Sequence, residues 1–456
     1  MTSTTLITLD YTLRDLYAID NEGEPIPTLI YDTQPTENCG KTSSGKFTYH
    51  TCLQSGETTT DASKALFFKC LVQRRAFLSG SMPVIILNIT SEQKRPDKSV
   101  YQDQLDMYRN FAQLRLDQQP TASFAENADH IALHQKTPLV VARPTDYVSH
   151  LPSVVEPEMH YELLSKRGLA RSGLPTPPSL VIDPLLLVDH LRDPAGLQHE
   201  IERITNHLDI HRIPFVVKLP QSLSGHGTFT VLSEAERKQV KAVFGARIRK
   251  MLEGINASNY HLHPSSVVLQ DYIQGPEMAL SLFVTRMGRP IFISCCKQRF
   301  DEQGHWVGGS ISYAQQSSLH QTYAKTIEKV AQFLHKKGYY GAAGVDVITD
   351  SLGKHYVVDL NARITGTYQL GLLSEHFVQR GLETAKLMAG YFPYPRTTFE
   401  KAFCREIQDG SLVITGWAHD DSMQLSYGAI TAGGRKFSDT DGLLARVRAH
   451  TLSLSA

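Results

Sequence analysis

The chain has no long apolar run, no surplus of charge and no cysteine framework, and each absence narrows what it can be. Among 456 residues no apolar stretch approaches the length of a membrane span, and Met1-Thr-Ser-Thr-Thr5 lacks the basic start of a secretory signal. Lys plus Arg and Asp plus Glu both number 46, so the charge balance favours neither nucleic acid nor an anionic membrane surface. The six cysteines show no framework spacing, and Cys295 and Cys296 fall side by side on an expected strand, pointing opposite ways. A reducing, cytoplasmic setting is the simplest expectation.

Several familiar motifs are also missing. There is no His-Glu-x-x-His and no Gly-x-Gly-x-x-Gly. Cys39-Gly40-Lys41-Thr42 ends like a P-loop, but the motif's first glycine falls on Pro35, which has no N–H to donate. Gly308-Gly-Ser-Ile-Ser312 ends in serine where a hydrolase nucleophile elbow needs glycine. His261 and His263 have no cysteine or acidic partner at zinc spacing, and the rest of the 19 histidines are scattered.

What is present is a soluble composition, 41% apolar, in a chain long enough for two or three domains. The densest information lies in residues 341–366, GAAGVDVITDSLGKHYVVDLNARITG. This reads as two strands joined by a tight turn at Leu352-Gly353. Alternation puts Asp359, Asn361 and Arg363 on one face and Val358, Leu360 and Ala362 on the other. A hairpin closed about that turn sets Asp346 opposite Asp359, with Cβ atoms about 4.5–5.5 Å apart. Carboxylates that close repel unless a cation lies between them, and such oxygen donors suit magnesium, which keeps other sites for water and phosphates.

Two further stretches precede it. Pro214-Phe-Val-Val-Lys-Leu-Pro220 reads as a short apolar strand carrying one lysine, Lys218, followed by a loop with Ser222, Ser224, Gly225 and Gly227 and a second strand over 229–232. Such a loop can turn its backbone N–H groups and hydroxyls toward an anion, with Lys218 adding a point charge. Residues 267–283 then offer a strand, a polar break at Gln270-Asp271, a Gly275-Pro276 turn, and Glu277 entering another strand.

The order of these three blocks, over residues 155–395, resembles the ATP-grasp superfamily of ligases. That resemblance implies an α/β (α+β) ATP-grasp fold with an amino-terminal Rossmann-like domain, and a nucleotide held between two lobes. Carried onto this chain, Lys218 binds phosphate and residues 222–227 form a lid. Gln270, Asp271, Tyr272 and Ile273 hold adenine, and Glu277 takes the ribose hydroxyls. Asp346, Asp359 and Asn361 become magnesium ligands, with manganese as a substitute, and Arg363 contacts phosphate or acyl phosphate. Lys297 and Arg299, alternating on one strand face, match basic residues that related enzymes place against the acyl phosphate; a solvated strand edge is their other reading. Gly308-Gly-Ser310 is placed, by analogy, in a loop near the acceptor pocket.

The activity implied is an ADP-forming carboxylate–amine ligase working through an acyl phosphate. The alternatives are phosphorylation of a hydroxyl or a nucleotide-binding regulator without turnover. The expected cofactors are ATP and magnesium. The expected partners are a small-molecule carboxylic acid and an amine or amino acid, with a homodimer entertained and neither nucleic acid nor membrane. Residues 154–167 are also similar to ATP-grasp proteins of filamentous fungi, which implies a natural-product acid.

Two positions depart from the family. The helix expected over 158–172 carries Glu162 where many members have a phosphate-binding lysine, with Lys166 one turn later. Gly344 stands where D-alanine–D-alanine ligases carry an arginine.

The remaining expectations are structural. Residues 1–152 form the amino-terminal domain, with helices over 62–79 and 101–116 and strands over 83–89 and 137–142. Arg143, just past a strand end, is either a substrate contact or a surface arginine. Residues 153–395 form the ATP-grasp domain, with a lid lobe over 213–270, a long basic helix over 235–254 and a helix pair over 366–390. Residues 396–456 form a small β-rich closing segment with a helix over 442–450.

Overall fold

The computed structural model describes residues 6–32, 45–50, 61–87, 97–125, 131, 137–186, 188–189, 193–222, 227–300 and 306–453. Three sheets organise them. The first is parallel, with strands β1 (Thr28–Asp32), β2 (Pro83–Leu87), β3 (Thr121–Ala125) and β4 (Leu139–Val141) in the order β3-β2-β1-β4. Helices Asp61–Ala76 and Asp97–Phe111 lie on the crossovers. Leu29 to Tyr31 and Val84 to Leu87 are buried without alternation, as parallel strands covered on both faces require. This is the Rossmann-like layer expected at the amino end.

The second sheet is antiparallel and small: β5 (Ser179–Ile182), β6 (Phe215–Lys218), β7 (Thr228–Val231) and β8 (Val267–Asp271), in the order β5-β8-β6-β7. Helices Pro194–Ile210 and Glu234–Glu253 cover one face. The second helix turns Val240, Phe244, Ile248, Met251 and Leu252 inward at helical spacing, against Phe215, Val217 and Leu269. Several of its basic residues are spent within the lobe: Arg237 donates to the Asp209 and His211 carbonyls, Lys241 pairs with Asp209 and Arg249 donates to Gln198. Ser233 caps its first turn by accepting from the Glu236 N–H at 3.2 Å.

The third sheet has eight antiparallel strands in the order β13-β12-β9-β10-β11-β14-β16-β15. They are β9 (Glu277–Val284), β10 (Pro290–Phe300), β11 (Trp306–Ser312), β12 (Gly341–Thr349), β13 (His355–Asn361), β14 (Thr384–Phe392), β15 (Leu412–Asp420) and β16 (Leu425–Gly434). On β10, Cys295 and Cys296 enter separate cores on opposite faces, both as buried free thiols.

Three expectations are corrected here. Residues 366–390 are two five-residue helices, Tyr368–Leu372 and Ser374–Val378, followed by strand β14. The run Thr-Ala-Lys-Leu-Met-Ala has no strong β preference, and pairing with β11 and β16 decides its state. Residues 306–312 are strand β11 rather than loop, with Gly308 and Gly309 packed on the Leu387 carbonyl and Thr367. The strands beyond residue 395 continue the large sheet, because β16 pairs with β14 along its length.

Helix Asp61–Ala76 packs on β15 and β16 as well as β1, so the amino-terminal layer leans against the far end of this sheet. Trp417, fully buried, stacks on Phe392 at 4.7 Å and lies 5.1 Å from Phe399, joining β15, β14 and the helix Arg396–Ala402. Trp417→Ala is expected to cost about 3–5 kcal/mol. Urea unfolding should show the whole large sheet losing stability in one transition; a separate early transition would mark the carboxy-terminal strands as an independent unit.

Candidate active site

The hairpin positions the first groups. β12 and β13 pair with Asp346 directly opposite Asp359, as the alternation about the turn required. Asp350 closes the turn by accepting N–H groups from Leu352 and Lys354, both at 2.9 Å. The register slips between Asp346 and Val347, which changes one assignment. Val357 and Leu360 are the buried apolar residues, while Val358 turns to the cavity. The bulge frees the Val358 carbonyl to accept from Lys218 Nζ at 2.6 Å. Beyond it, Asn361 donates to Asp359 Oδ2 at 3.3 Å and accepts from the Arg363 guanidinium at 2.7 Å.

A second lysine enters from a broken helix. The single helix expected over 158–172 is two, Pro157–Leu163 and Lys166–Ala170. Ser165 makes the break: its Oγ donates to the Glu162 carbonyl and accepts from the Gly168 N–H, both at 2.7 Å. The bend is so tight that a Cβ on Gly168 would lie 2.2 Å from the Glu162 carbonyl oxygen. The result turns Lys166 inward, where it is buried and forms an ion pair with Asp359 Oδ1. Glu162 points elsewhere, 3.7 Å from Lys337 Nζ. Buried His160 ties the first helix to the end of β13 by donating from Nε2 to the Ala362 carbonyl at 2.9 Å.

These groups share one charge balance. Burial and the Asp359 carboxylate hold Asp346 well above the usual carboxylate range. Burial opposes ionisation of Asp359 as well, but Lys166, through charge and hydrogen bond, with Lys218 and Arg363, draws it below that range. Burial, then the Lys166 charge, brings the Lys218 ammonium down to about 8 against the pull of Asp359, Asp346 and Glu277. Glu277 is raised by burial and Asp359.

All of them open on a cavity of about 1150 Å³ between the sheets. Gln270, Asp271, Tyr272, Ile273 and Glu277 line it, with Lys166, Lys218, Ser222, Asp346, Asp359, Asn361 and Arg363. Gly227 does not reach it. It backs onto Ser222, where a Cβ would come 2.3 Å from the serine side chain. Ser224 and Gly225 lie outside the described residues. Lys297 and Arg299 do not line the cavity; Gln298 and Phe300, of opposite parity on β10, do. Alternation puts every second residue on one face, but only pairing decides which set faces inward. Gln298 donates to Glu277 at 3.3 Å and was missed for that reason. Gly344 faces the Thr365 side chain, 2.2 Å from where its Cβ would be, so an arginine has no room there.

Among the described residues, no three His, Cys, Asp or Glu side chains converge to hold a metal. The facing carboxylates of Asp346 and Asp359 and the Asn361 amide oxygen are hard donors. They fit magnesium as a partial shell, with phosphates and water completing it.

Residues 194–361 match the family model described as "L-aspartate--L-methionine ligase, ATP grasp". No curated protein matches the chain. Among solved structures, the ADP complex of N5-carboxyaminoimidazole ribonucleotide synthetase is 9% identical, with a TM-score of 0.51 over 93% of this chain and 97% of that one. The biotin carboxylase domain dimer of Hydrogenobacter thermophilus 2-oxoglutarate carboxylase, with MgADP, ADP and bicarbonate, is 11% identical, with a TM-score of 0.50 over 93% and 90%. At these identities the likeness shows the fold. Residues 194–361 are thus similar to an ATP-grasp ligase, and the likeness supports an enzyme that joins carbon to nitrogen. Among the described residues no helix is long and apolar enough to cross a membrane.

Two outcomes follow for the lysines. Lys166→Ala should weaken ATP binding or turnover about 10- to 100-fold, the range for a lost charge-assisted bond, whereas Glu162→Ala should change neither more than twofold. Lys218 releases its proton near pH 8 when folded and near 10.5 when unfolded, so the unfolded chain holds more protons between those values. Its contribution to stability therefore rises with pH across that window. Phosphate favours the charged form, so ATP binding above pH 8 should take up a proton. Calorimetry in buffers of different ionisation heat would detect the uptake, and Lys218→Met should abolish it.

Proposed function

We propose that the protein is an ATP-dependent carboxylate–amine ligase that activates its acid as an acyl phosphate and releases ADP and phosphate. The observation that carries this reading is the single cavity. One end gathers Lys166, Lys218, Asp346, Asp359 and Asn361, the other is walled by the amino-terminal layer with Tyr31, Arg75, Arg143 and Thr145, and Arg363 lies between the two. A nucleotide at the first end can therefore meet a small molecule at the second without leaving the cavity.

In this reading Gln270 to Ile273 receive adenine and Glu277 the ribose hydroxyls, while Lys166, Lys218 and Ser222 hold phosphates. Asp346, Asp359 and Asn361 would hold magnesium, which when bound neutralises phosphate charge. Arg363, anchored on Asn361, lies where charge develops between acid and phosphate. Phosphoryl transfer needs alignment and charge neutralisation more than covalent help. The buried thiols agree: burial pushes Cys70, Cys295 and Cys296 up to about 12, so none of these three is an activated nucleophile. The amine then attacks the acyl carbon of the acyl phosphate, the amide forms and inorganic phosphate leaves. A regulator without turnover would draw its support from Glu162 in place of lysine. Lys166, paired with Asp359, removes that ground.

The matched family suggests L-aspartate and L-methionine as the first acid and amine to supply. With magnesium, ADP should form only when acid and amine are both present, and oxygen-18 from the acid's carboxylate should be recovered in the released phosphate. AMP as product would overturn the acyl-phosphate route, and ADP with one organic substrate would point to hydroxyl phosphorylation. Asp359→Asn, with folding checked, should lower turnover by ~100-fold or more.

A further inference from the structure

The far chamber of the cavity is built mostly from residues outside the 194–361 match. β1 brings Tyr31, the last turn of helix Asp61–Ala76 brings Arg75, and the residue pair after β4 brings Arg143. The Tyr31 hydroxyl is buried, its residue 4% exposed, and has no hydrogen-bond partner among the described residues. Arg75 has three cationic neighbours, Arg363, Arg143 and Arg74, which with burial bring it down to about 9. Arg143 lies 5.0 Å over the Tyr49 ring. Arg74 is already committed, donating to the Gly366 carbonyl at 3.0 Å. Asp32 stands on the same wall and accepts the Tyr147 hydroxyl.

A buried hydroxyl and two guanidiniums thus line one chamber, and no ion pair joins Arg75 or Arg143 to a carboxylate among the described residues. Mutually repelling guanidiniums beside an unpaired donor are stable when an anion completes them, and planar guanidiniums match a carboxylate best. Phosphate has its own cations in Lys166 and Lys218, beside the facing aspartates. Beside the arginines, Phe67, Tyr391 and Tyr427 form an edge-to-face wall, with centroids 5.3 and 4.8 Å apart. Gly390, with nothing within 4 Å of its Cβ position, leaves space along it.

We propose that Tyr31, Arg75 and Arg143 bind a substrate carboxylate that is not the one activated. It is either the acid's second carboxylate or the α-carboxylate of an amino-acid amine. This rests on the ligase reading above, and the test separates the two.

Calorimetric titration, with magnesium and a non-hydrolysable ATP analogue present, would compare L-aspartate with its 1-amide and its 4-amide, and L-methionine with methioninamide. Succinate and L-glutamate would extend the set. Amidation of one carboxylate should weaken at least one parent tenfold or more, and the carboxylate whose loss also removes the effect of the arginine variants identifies the source. Arg75→Ala and Arg143→Ala should each weaken that ligand 10- to 100-fold. Arg143→Lys should recover part of the loss. Tyr31→Phe, which removes one oxygen and no existing bond, should weaken it severalfold without altering the fold, and nucleotide affinity should stay within twofold throughout. Amides that bind as tightly as their acids, variants within twofold of the parent protein, or no binding by any of these carboxylates would overturn the proposal. Arginine-dependent binding without ADP formation would sink the ligase reading and leave the site. ADP formation indifferent to all three residues would do the reverse.

Discussion

Two carboxylates that the β12–β13 register forces face to face set the terms for everything around them. Asp346 and Asp359 occupy opposite positions in a buried part of the sheet. At an effective dielectric near 20, two charges 4 Å apart interact by about 4 kcal/mol, a large share of the stability of a domain. The chain resolves this unequally. Asp359 is surrounded by Lys166, Lys218 and Arg363 and ionises readily, while Asp346 is held toward its protonated form. A cation between them would let both ionise, so metal binding and proton release are linked at this pair.

The compensating charges come from three separate parts of the fold, around a third carboxylate, Glu277. Lys218 ends β6 of the small sheet and reaches across to the Val358 carbonyl. Lys166 arrives through the bend at Ser165, and Arg363 follows β13 itself. Glu277 starts β9, the strand next to β12, and is steadied by Gln298. The lysine contact also joins the small sheet to the large one, at the place where the cavity lies between them. A lobe joined there through the Lys218 ammonium is tied by a contact that phosphate can compete for.

How much of this was legible depends on how local each signal was. The facing aspartates could be read because strict alternation, a two-residue turn and Asp359, Asn361 and Arg363 at every second position all lie within one hairpin. Lys218 and Glu277 could be read because each sits at a strand end beside glycine or proline. The break at Ser165 could not, since Glu158 to Ser172 keeps helical spacing throughout. The available hint was a serine three residues before Gly168, a cap inside an apparent helix. Lys297 and Arg299 were favoured over Gln298 because charge draws the eye and parity does not show in sequence. β14 was read as helix because its pairing partners lie as much as 76 and 50 residues away, at Ser310 and Gly434 against Lys386 and Thr384. Tyr31 and Arg75 carry no motif, and only packing brings them together.

The same division separates the two halves of the chemistry. In the proposed reading the nucleotide end is made of groups that act on any triphosphate, and its residues stand in short blocks because strand and turn position them locally. The acceptor end of that reading must distinguish one small molecule from another. Its wall draws on β1, the helix Asp61–Ala76, β4, β14 and β16, elements brought side by side only when the parallel layer leans on the far end of the large sheet. Substitutions in those elements can reshape the pocket while leaving the buried aspartates and their cations untouched. Specificity is therefore free to change where the core activity is not, and an acceptor site written across five elements is the physical reason a substrate is harder to read from this chain than a nucleotide.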